Sequence, residues 1–554
     1  MLRAGLAAGG ADPDAMHLLG YILATSGRAA EGLPLIDRSI AAAPRHPGFL
    51  DNRAQVLLQI GRVEEAARDA EAVTALEPAF AEGWLHLAQA LRRLGKALES
   101  AAAARRALAI EPGHVGAGYH AALLVFEAGD LAGAEAGFAR VLERDPRHAA
   151  ALNNLGIVQR HTGREAAALE SFARATAAEP GNAAAQNNLG LALQGAGRLA
   201  EALEAFVRAG FPEALANAGG LALELERLDL ARDLYARAAD ARPGFADAEF
   251  GLGQVALREH RFGEGWEGYE WRFETRPPLA ATRARALPRL EPTDLARAKR
   301  VAVWSEQGLG DQILFTTLLP ELERRGIAAV VEVDARLLGL YRRSLPPSFE
   351  LTTRADSATA FAGCDFQLPM GSLPRLFRRD AASFAAQPAA LLRPDPERLA
   401  AAREALAALA PDGKLIAISW RSPQAGERRA LGERKSVPLD AFVALARAHG
   451  ARLLDLQYGD VDAERAEFES RHPGVLARIE GLDLRDDLEG VAAALAACGR
   501  LVTASNATAH LAGALGVPTE LCLPRGWPAF AYWAPLAGGR SLWYPSVVVT
   551  SAPG

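Results

Sequence analysis

Through the first half of the chain, small and apolar positions recur on a helical spacing, and the whole pattern restarts every 34 residues. Pro44, Pro78, Pro112, Pro146 and Pro180 mark the restarts; after one shortened unit, Pro243 and Pro277 resume them. Twenty-four residues before these prolines stand Gly20, Ala54, Ala88, Ala122, Gly156, Gly219 and Gly253. Twelve before them stand Gly32, Ala66, Ser100, Ala134, Ala168, Ala231 and Gly265. Small residues at both places let two antiparallel helices approach closely. Larger groups eight before the proline, such as Phe138, Phe172, Tyr235 and Tyr269, fill the space between neighbouring pairs. The proline stops the second helix, because its ring cannot continue the hydrogen-bond ladder. A helix pair of this size cannot bury its apolar face alone, so the pairs must stack. The pattern predicts an α solenoid over residues 1–277, of about eight units. One unit is shortened near 209–214, where a local disturbance of the superhelix is expected.

This grammar resembles the tetratricopeptide repeat, whose function class is protein–protein interaction. Asn52, Asn154, Asn188 and Asn217 lie 26 residues before a real or expected proline, on the first helix of their units. In this repeat class the first helix lines the concave groove. A ladder of amides there would grip an acceptor peptide backbone, since each offers donor and acceptor. The alternative is that asparagine is an ordinary exposed residue at that position. His86 and His120 interrupt the series.

After Pro277 the period disappears. An Arg- and Pro-containing connector is expected over 278–299, followed by strands alternating with helices, the pattern of parallel sheets with crossover helices. Expected strands are Val301–Trp304, Val330–Val333 and Phe366–Pro369, then Leu415–Trp420, Arg452–Gln457, Leu501–Ala504 and Thr519–Leu523. Gly308–Asp311 reads as a turn and Gln312–Arg325 as a helix. The two series suggest two Rossmann-like lobes, 300–396 and 397–554, facing a cleft. Ligands of such sheets bind at the carboxyl ends of strands.

Composition narrows the partners. A net charge of −6 over 554 residues provides no global attraction for nucleic acid or anionic membrane. The three cysteines, Cys364, Cys498 and Cys522, are scattered, with no metal-ligand spacing, and point to a reducing compartment. No apolar run is long enough for a membrane span, and no sustained apolar h-region follows Met1. A soluble, cytoplasmic protein without a bound metal is the expectation.

Three places in the second half look chemical. The first is Glu306–Asp311, where Gly308 and Gly310 permit close backbone approach and Asp311 stands at a helix start. A carboxylate there is either a partner of the helix dipole or a general base. The second is the basic loop Arg421–Ser436, with Arg421, Arg428, Arg429, Arg434 and Lys435 against Glu427 and Glu433. It is either a clamp for a pyrophosphate or a solvated loop. The third is Thr503–Gly516, where a strand ends in Ser505, Asn506 and Thr508 just before a helix bearing His510. Unpaired N–H groups at such a helix start bind anions; Ser505 or Asn506 is equally an ordinary N-cap.

At these places the chain resembles the heptosyltransferase-like glycosyltransferases in their repeat-fused form. The matching stretches are Trp304–Ile313, His510–Gly516 and Trp543-Tyr544-Pro545, with Lys435-Ser436 and Leu456-Gln457 where related proteins have such pairs. The likeness covers about residues 265–548. It implies a GT-B architecture and a nucleotide-diphosphate sugar as co-substrate rather than a cofactor. Inverting transfer without a required metal to a protein or glycan acceptor is also implied. Asp311 matches the proposed base, and Asn506, Thr508 and His510 match the pyrophosphate-facing stretch. Where a frequent form of that stretch has Asp-Thr, this chain has Ser505-Asn506. Gly526-Trp527-Pro528 and Trp533 line a sugar or base pocket or pack in an aromatic core. The architecture is also similar to O-linked N-acetylglucosamine transferase, without that enzyme's catalytic motifs. The alternative is a non-catalytic interaction scaffold carrying a degenerate GT-B module.

Overall fold

The computed structural model describes residues 12–280, 287–411, 414–422, 435–524, 531–535 and 538–551. They fall into two compact units, Met1–Gly210 and Phe211–Gly554.

The first unit is helix pairs throughout its described residues. These are α1 Pro13–Thr25 with α2 Ala29–Ala42, α3 Pro47–Ile60 with α4 Val63–Leu76, and α5 Ala81–Arg93 with α6 Ala97–Ile110. They continue as α7 Val115–Glu127 with α8 Leu131–Arg144, α9 Ala149–His161 with α10 Glu165–Ala178, and α11 Ala183–Gly195 with α12 Leu199–Ala209. Each pair turns on a left-handed glycine, Gly27, Gly61, Gly95, Gly129, Gly163 or Gly197, with φ of 81°, 82°, 76°, 85°, 75° and 75°. Only glycine adopts this conformation without a Cβ penalty. Ala54, Ala88 and Ala134 are fully buried, as close helix approach requires, and Phe138 and Phe172 fill the space between pairs without exposure. His46, His114 and His148 cap first helices by accepting the N–H groups of Phe49, Ala117 and Ala151. The shortened repeat is visible as α12, 11 residues long and closed by Gly210 at φ 73°.

The second unit begins with two more pairs, α13 Pro212–Glu224 with α14 Leu228–Ala241 and α15 Ala246–Arg258 with α16 Phe262–Tyr269. Here the turns carry Glu226 and His260 at φ 57° and 58° instead of glycine. Two parallel sheets follow. The first has the order β3-β2-β1-β4, from β1 Arg300–Trp304, β2 Ala328–Glu332, β3 Phe349–Thr352 and β4 Phe366–Pro369. The second has the order β10-β9-β8-β5-β6-β7. Its strands are β5 Leu415–Ser419, β6 Arg452–Asp455, β7 Leu476–Ala477, β8 Leu501–Thr503, β9 Thr519–Leu523 and β10 Val547–Ser551. Every strand pairing in both sheets is parallel. Parallel neighbours need crossovers, which explains the alternation of strand and helix in the sequence.

Three strands, β3, β7 and β10, lie outside the expected set. The expected helix at 312–325 is two helices, α17 Leu309–Thr316 and α18 Leu319–Glu323. Pro320 stands in the first turn of α18, where its missing N–H costs no helix hydrogen bond. Gly310 and Asp311 therefore belong to the first turn of α17, with Gly308 as its N-cap, rather than to a separate turn.

The last repeat shares one core with the sheets. Trp266 of α16 is 4% exposed and lies edge-on to Trp543 at 6.0 Å between ring centroids. Just beyond it, Arg272 is buried and donates to Glu306 Oε1, Glu270 Oε1 and Ser372 Oγ, each at 2.9 Å. The connector is held as well: Leu290 N–H donates to Gln367 O and Gln367 N–H to Pro288 O, both at 2.9 Å.

Candidate functional site

A cavity of about 290 Å³ opens where the carboxyl ends of β1, β2, β5, β6 and β8 converge. Each strand delivers residues from the segment that follows it: Gly308–Asp311, Arg336, Ser422, Tyr458 and Ser505–Thr508. Of the residues singled out in the sequence, Gly308, Gly310, Asp311, Lys435, Ser505, Asn506, Thr508 and His510 all line it.

Asp311 sits in the first turn of α17, where the nearby backbone N–H groups of Gly308 and Asp311 favour its charged form. Removal from bulk water raises its carboxyl to about 6, the Glu306 charge adds to the rise, and Lys435 opposes it. Glu306 is fixed close by: its Oε1 accepts from Arg272 and from the Gly371 N–H, both at 2.9 Å. Gln307 and Tyr269 exchange hydrogen bonds of 2.7 and 3.0 Å. Residues of the last repeat and the turn after it thus anchor the segment that leads into Asp311.

The opposite wall is α21, Ala507–Ala514, which packs against α17; α19, Pro396–Leu409, and α20, Leu488–Cys498, are among the helices between them in sequence. Asn506 is its N-cap, accepting the Ala509 N–H at 3.2 Å. The same amide donates to Ser419 Oγ at 2.8 Å and Arg421 O at 3.0 Å. Its side chain therefore ties β5 to the helix start. Ser505 Oγ accepts the Trp533 indole N–H at 3.1 Å, so Trp533 packs as aromatic core beneath the site. His510 is buried, 4.7 Å from Trp533 between ring centroids, with Nδ1 3.3 Å from the Tyr544 hydroxyl. Burial lowers its pKa to about 3, so the imidazole is neutral at physiological pH.

Arg421 is not brought to the cavity. Its Nε pairs with Glu464 Oε2 at 2.6 Å, and only its carbonyl serves the site, by accepting from Asn506. Gln457 Oε1 explains the geometry: it accepts the Arg421 N–H at 2.7 Å and so fixes the backbone leaving β5. Arg428, Arg429, Arg434, Glu427, Glu433 and Gly526-Trp527-Pro528 lie outside the described residues. Arg336, Arg485, Tyr458 and Tyr532 line the cavity without having been singled out. Arg336 and Tyr458 follow the ends of β2 and β6, a position that marks them once the strands are placed.

In the repeats, three of the four asparagines bond to the preceding first helix. Asn52 Nδ2 lies 2.8 Å from His17 Nε2, Asn154 donates to the Tyr119 hydroxyl at 2.9 Å, and Asn188 donates to Asn153 Oδ1 at 2.8 Å. Asn217 is exposed. His86 bonds Asp51 at 2.7 Å across the same interval. In Asn52, Asn154, Asn188 and His86, one polar capacity of the side chain is used in stacking repeats. Among the described residues no helix is long and apolar enough to cross a membrane.

The family profile described as Tetratricopeptide repeat matches residues 52–115, 119–183, 166–214 and 216–265. The repeats are tetratricopeptide repeats. Protein FlbA of Caulobacter vibrioides is 33% identical over 307 residues, 52% of this chain and 49% of FlbA. TPR repeat-containing thioredoxin TTL4 of Arabidopsis thaliana is 34% identical over 70 residues, 13% of this chain and 10% of TTL4. The chain thus spans half or less of the length of these curated relatives. Among solved structures, TTC0263, a thermophilic tetratricopeptide protein of Thermus thermophilus, is 21% identical, covers 33% of this chain and 100% of its own, and has a TM-score of 0.30. Cut9–Hcn1 of the APC/C is 15% identical, covers 48% and 54%, and has a TM-score of 0.37. The matched tetratricopeptide repeats are protein-interaction repeats.

Proposed function

We propose that the second unit is a glycosyltransferase of GT-B type, moving a sugar from a nucleotide-diphosphate donor to a protein or glycan acceptor recruited by the tetratricopeptide repeats. The observation that carries this reading is the convergence of Asp311, Lys435 and the α21 helix start on one cavity at the carboxyl ends of both sheets. A carboxyl with a pKa of about 6 is mostly ionised at neutral pH yet basic enough to accept a proton from an attacking hydroxyl.

In this mechanism the acceptor oxygen attacks the anomeric carbon, its proton passes to Asp311, and the bond to the diphosphate breaks. Lys435 and the N-terminal end of α21 stabilise the departing negative charge. Arg485, exposed at the rim, adds a further cation. Neutral His510 packs the wall and supplies no charge. A second cavity of about 220 Å³, bordered by Gln307, Gln312, Asp334 and Arg354, shares Gly308 and Leu309 with the first and offers room for the acceptor.

A thermal-shift panel of nucleoside diphosphates and nucleotide sugars tests the reading. Stabilisation by one class, followed by release or transfer of its sugar, supports it. A flat response across the panel favours the non-catalytic scaffold.

A further inference from the structure

Two other cavities lie at the junction of the third and fourth repeats, within the first unit. One, of about 340 Å³, is bordered by Leu108 of α6, Gly118 and Val125 of α7, and Val141 of α8. The other, of about 470 Å³, is bordered by Leu98 and Ala101 of α6 and by Ala121 and Leu124 of α7. Ala121 and Val125 border both, so the two hollows adjoin as one trough.

The repeat register explains the trough. At the position of Gly118, the other 34-residue repeats carry Met16, Leu50, Trp84, Leu152 and Gln186; at that of Ala121 they carry Leu19, Arg53, Leu87, Leu155 and Leu189, all of them larger side chains. A Cβ on Gly118 would meet only Val141 Cγ2, at 3.4 Å, so the missing side chain has not been replaced by a neighbour. Interiors are otherwise packed to crystal density. Leu98 stands beside the second hollow at 88% exposure, where other repeats carry Glu64, Ala132 and Ala166. A lone exposed leucine is ordinary, but one that borders an apolar hollow marks a contact surface.

The charge at the rim selects the partner. Arg105 borders one hollow, and Arg140 and Arg144 border the other. Among the described residues these three have no carboxylate partner, unlike Arg92 and Arg164, which are paired with Glu127 and Glu135. The bordering carboxylates are Glu143 and the already paired Glu127. The trough is thus locally basic on a chain of net charge −6.

We propose that this trough docks an acidic segment of a partner protein, which inserts large apolar side chains into the two hollows and sets Asp or Glu against Arg105, Arg140 and Arg144. Repeats that stack well need no such vacancy, and the side chains missing from Gly118 and Ala121 are supplied by the partner.

Panning a random peptide library displayed on phage against the full chain tests this. Enriched peptides are expected to combine Leu, Phe or Trp with Asp or Glu. Synthetic copies, followed by fluorescence anisotropy, should bind the Gly118→Leu/Ala121→Leu variant about tenfold more weakly. That variant should melt at a higher temperature, because leucine fills the hollow and favours helix. The Arg140→Glu/Arg144→Glu variant, which leaves the hollows untouched, should show a similar loss of binding. Failure to enrich any peptide, enrichment of peptides lacking acidic and large apolar residues, or binding of either variant as tight as that of the parent chain would overturn the proposal.

Discussion

Gly310 lies directly against the imidazole of His510: a Cβ on Gly310 would stand 2.8 Å from His510 Cδ2. This contact seats α17 on α21 and joins the two glycine-containing motifs, 200 residues apart, where the two walls of the cavity meet. Gly310 has no left-handed φ, so its role is closeness of approach rather than backbone freedom.

Gly310→Ala should therefore lower stability by about 1–3 kcal/mol through overpacking. Combining it with His510→Ala should recover part of that loss, since the clash loses its partner. Chemical denaturation of the two single variants and the double variant measures the coupling.

Asp311 gives a pH signature. Its carboxyl titrates near 6 in the folded chain, above the ordinary 3.8, so the folded state holds a proton that the unfolded chain has released. Its contribution to stability is therefore lost as pH rises from about 4 to about 6. Asp311→Asn should be more stable than the parent above about pH 6 and indistinguishable below about pH 4, as read from denaturant midpoints. The same substitution should reduce sugar transfer by a factor of about 100 or more while nucleotide affinity stays within a few-fold.

Lys435 and Arg421 should separate cleanly. Lys435 is 5% exposed and lines the cavity, so Lys435→Ala should weaken nucleotide diphosphate binding by about tenfold or more. Arg421 points to Glu464, so Arg421→Ala should leave affinity within about twofold, the scale expected of an exposed ion pair. Isothermal titration against the nucleotide that stabilises the protein compares the two.

Arg272 is 1% exposed and holds Glu306, Glu270 and Ser372 together. Arg272→Met should cost about 3–5 kcal/mol, because it leaves buried carboxylates without compensation. Adding Glu306→Gln should restore part of the loss by removing one of those charges. Thermal melts of the two variants, side by side, report the outcome.

The repeats were legible because their information is local. Proline stops, small contact positions and a 34-residue period describe how each helix meets its neighbour along the chain, and α1 to α16 follow that pattern. Strands β1, β5 and β9 were legible for the same reason, as short apolar runs bounded by turns. Val547–Ser551 carries an equally clear signal in three consecutive valines, whereas the two residues of β7 carry almost none. Asp311 and the stretch from Ser505 to His510 were recognisable as a glycine-bearing helix start and a strand-to-helix junction.

By itself the sequence determined the repeat period, the alternation of strands and helices, and the residue types available for chemistry. Only the tertiary structure decided how those residues are used. It turned Arg421 away to Glu464, committed the Asn506 amide to the ends of β5 and α21, and brought Arg272 to Glu306. The physical reason is that these contacts depend on strand order and on helix packing across long separations. Periodicity along the chain encodes neighbours in sequence, whereas parallel sheets place the ends of distant strands side by side.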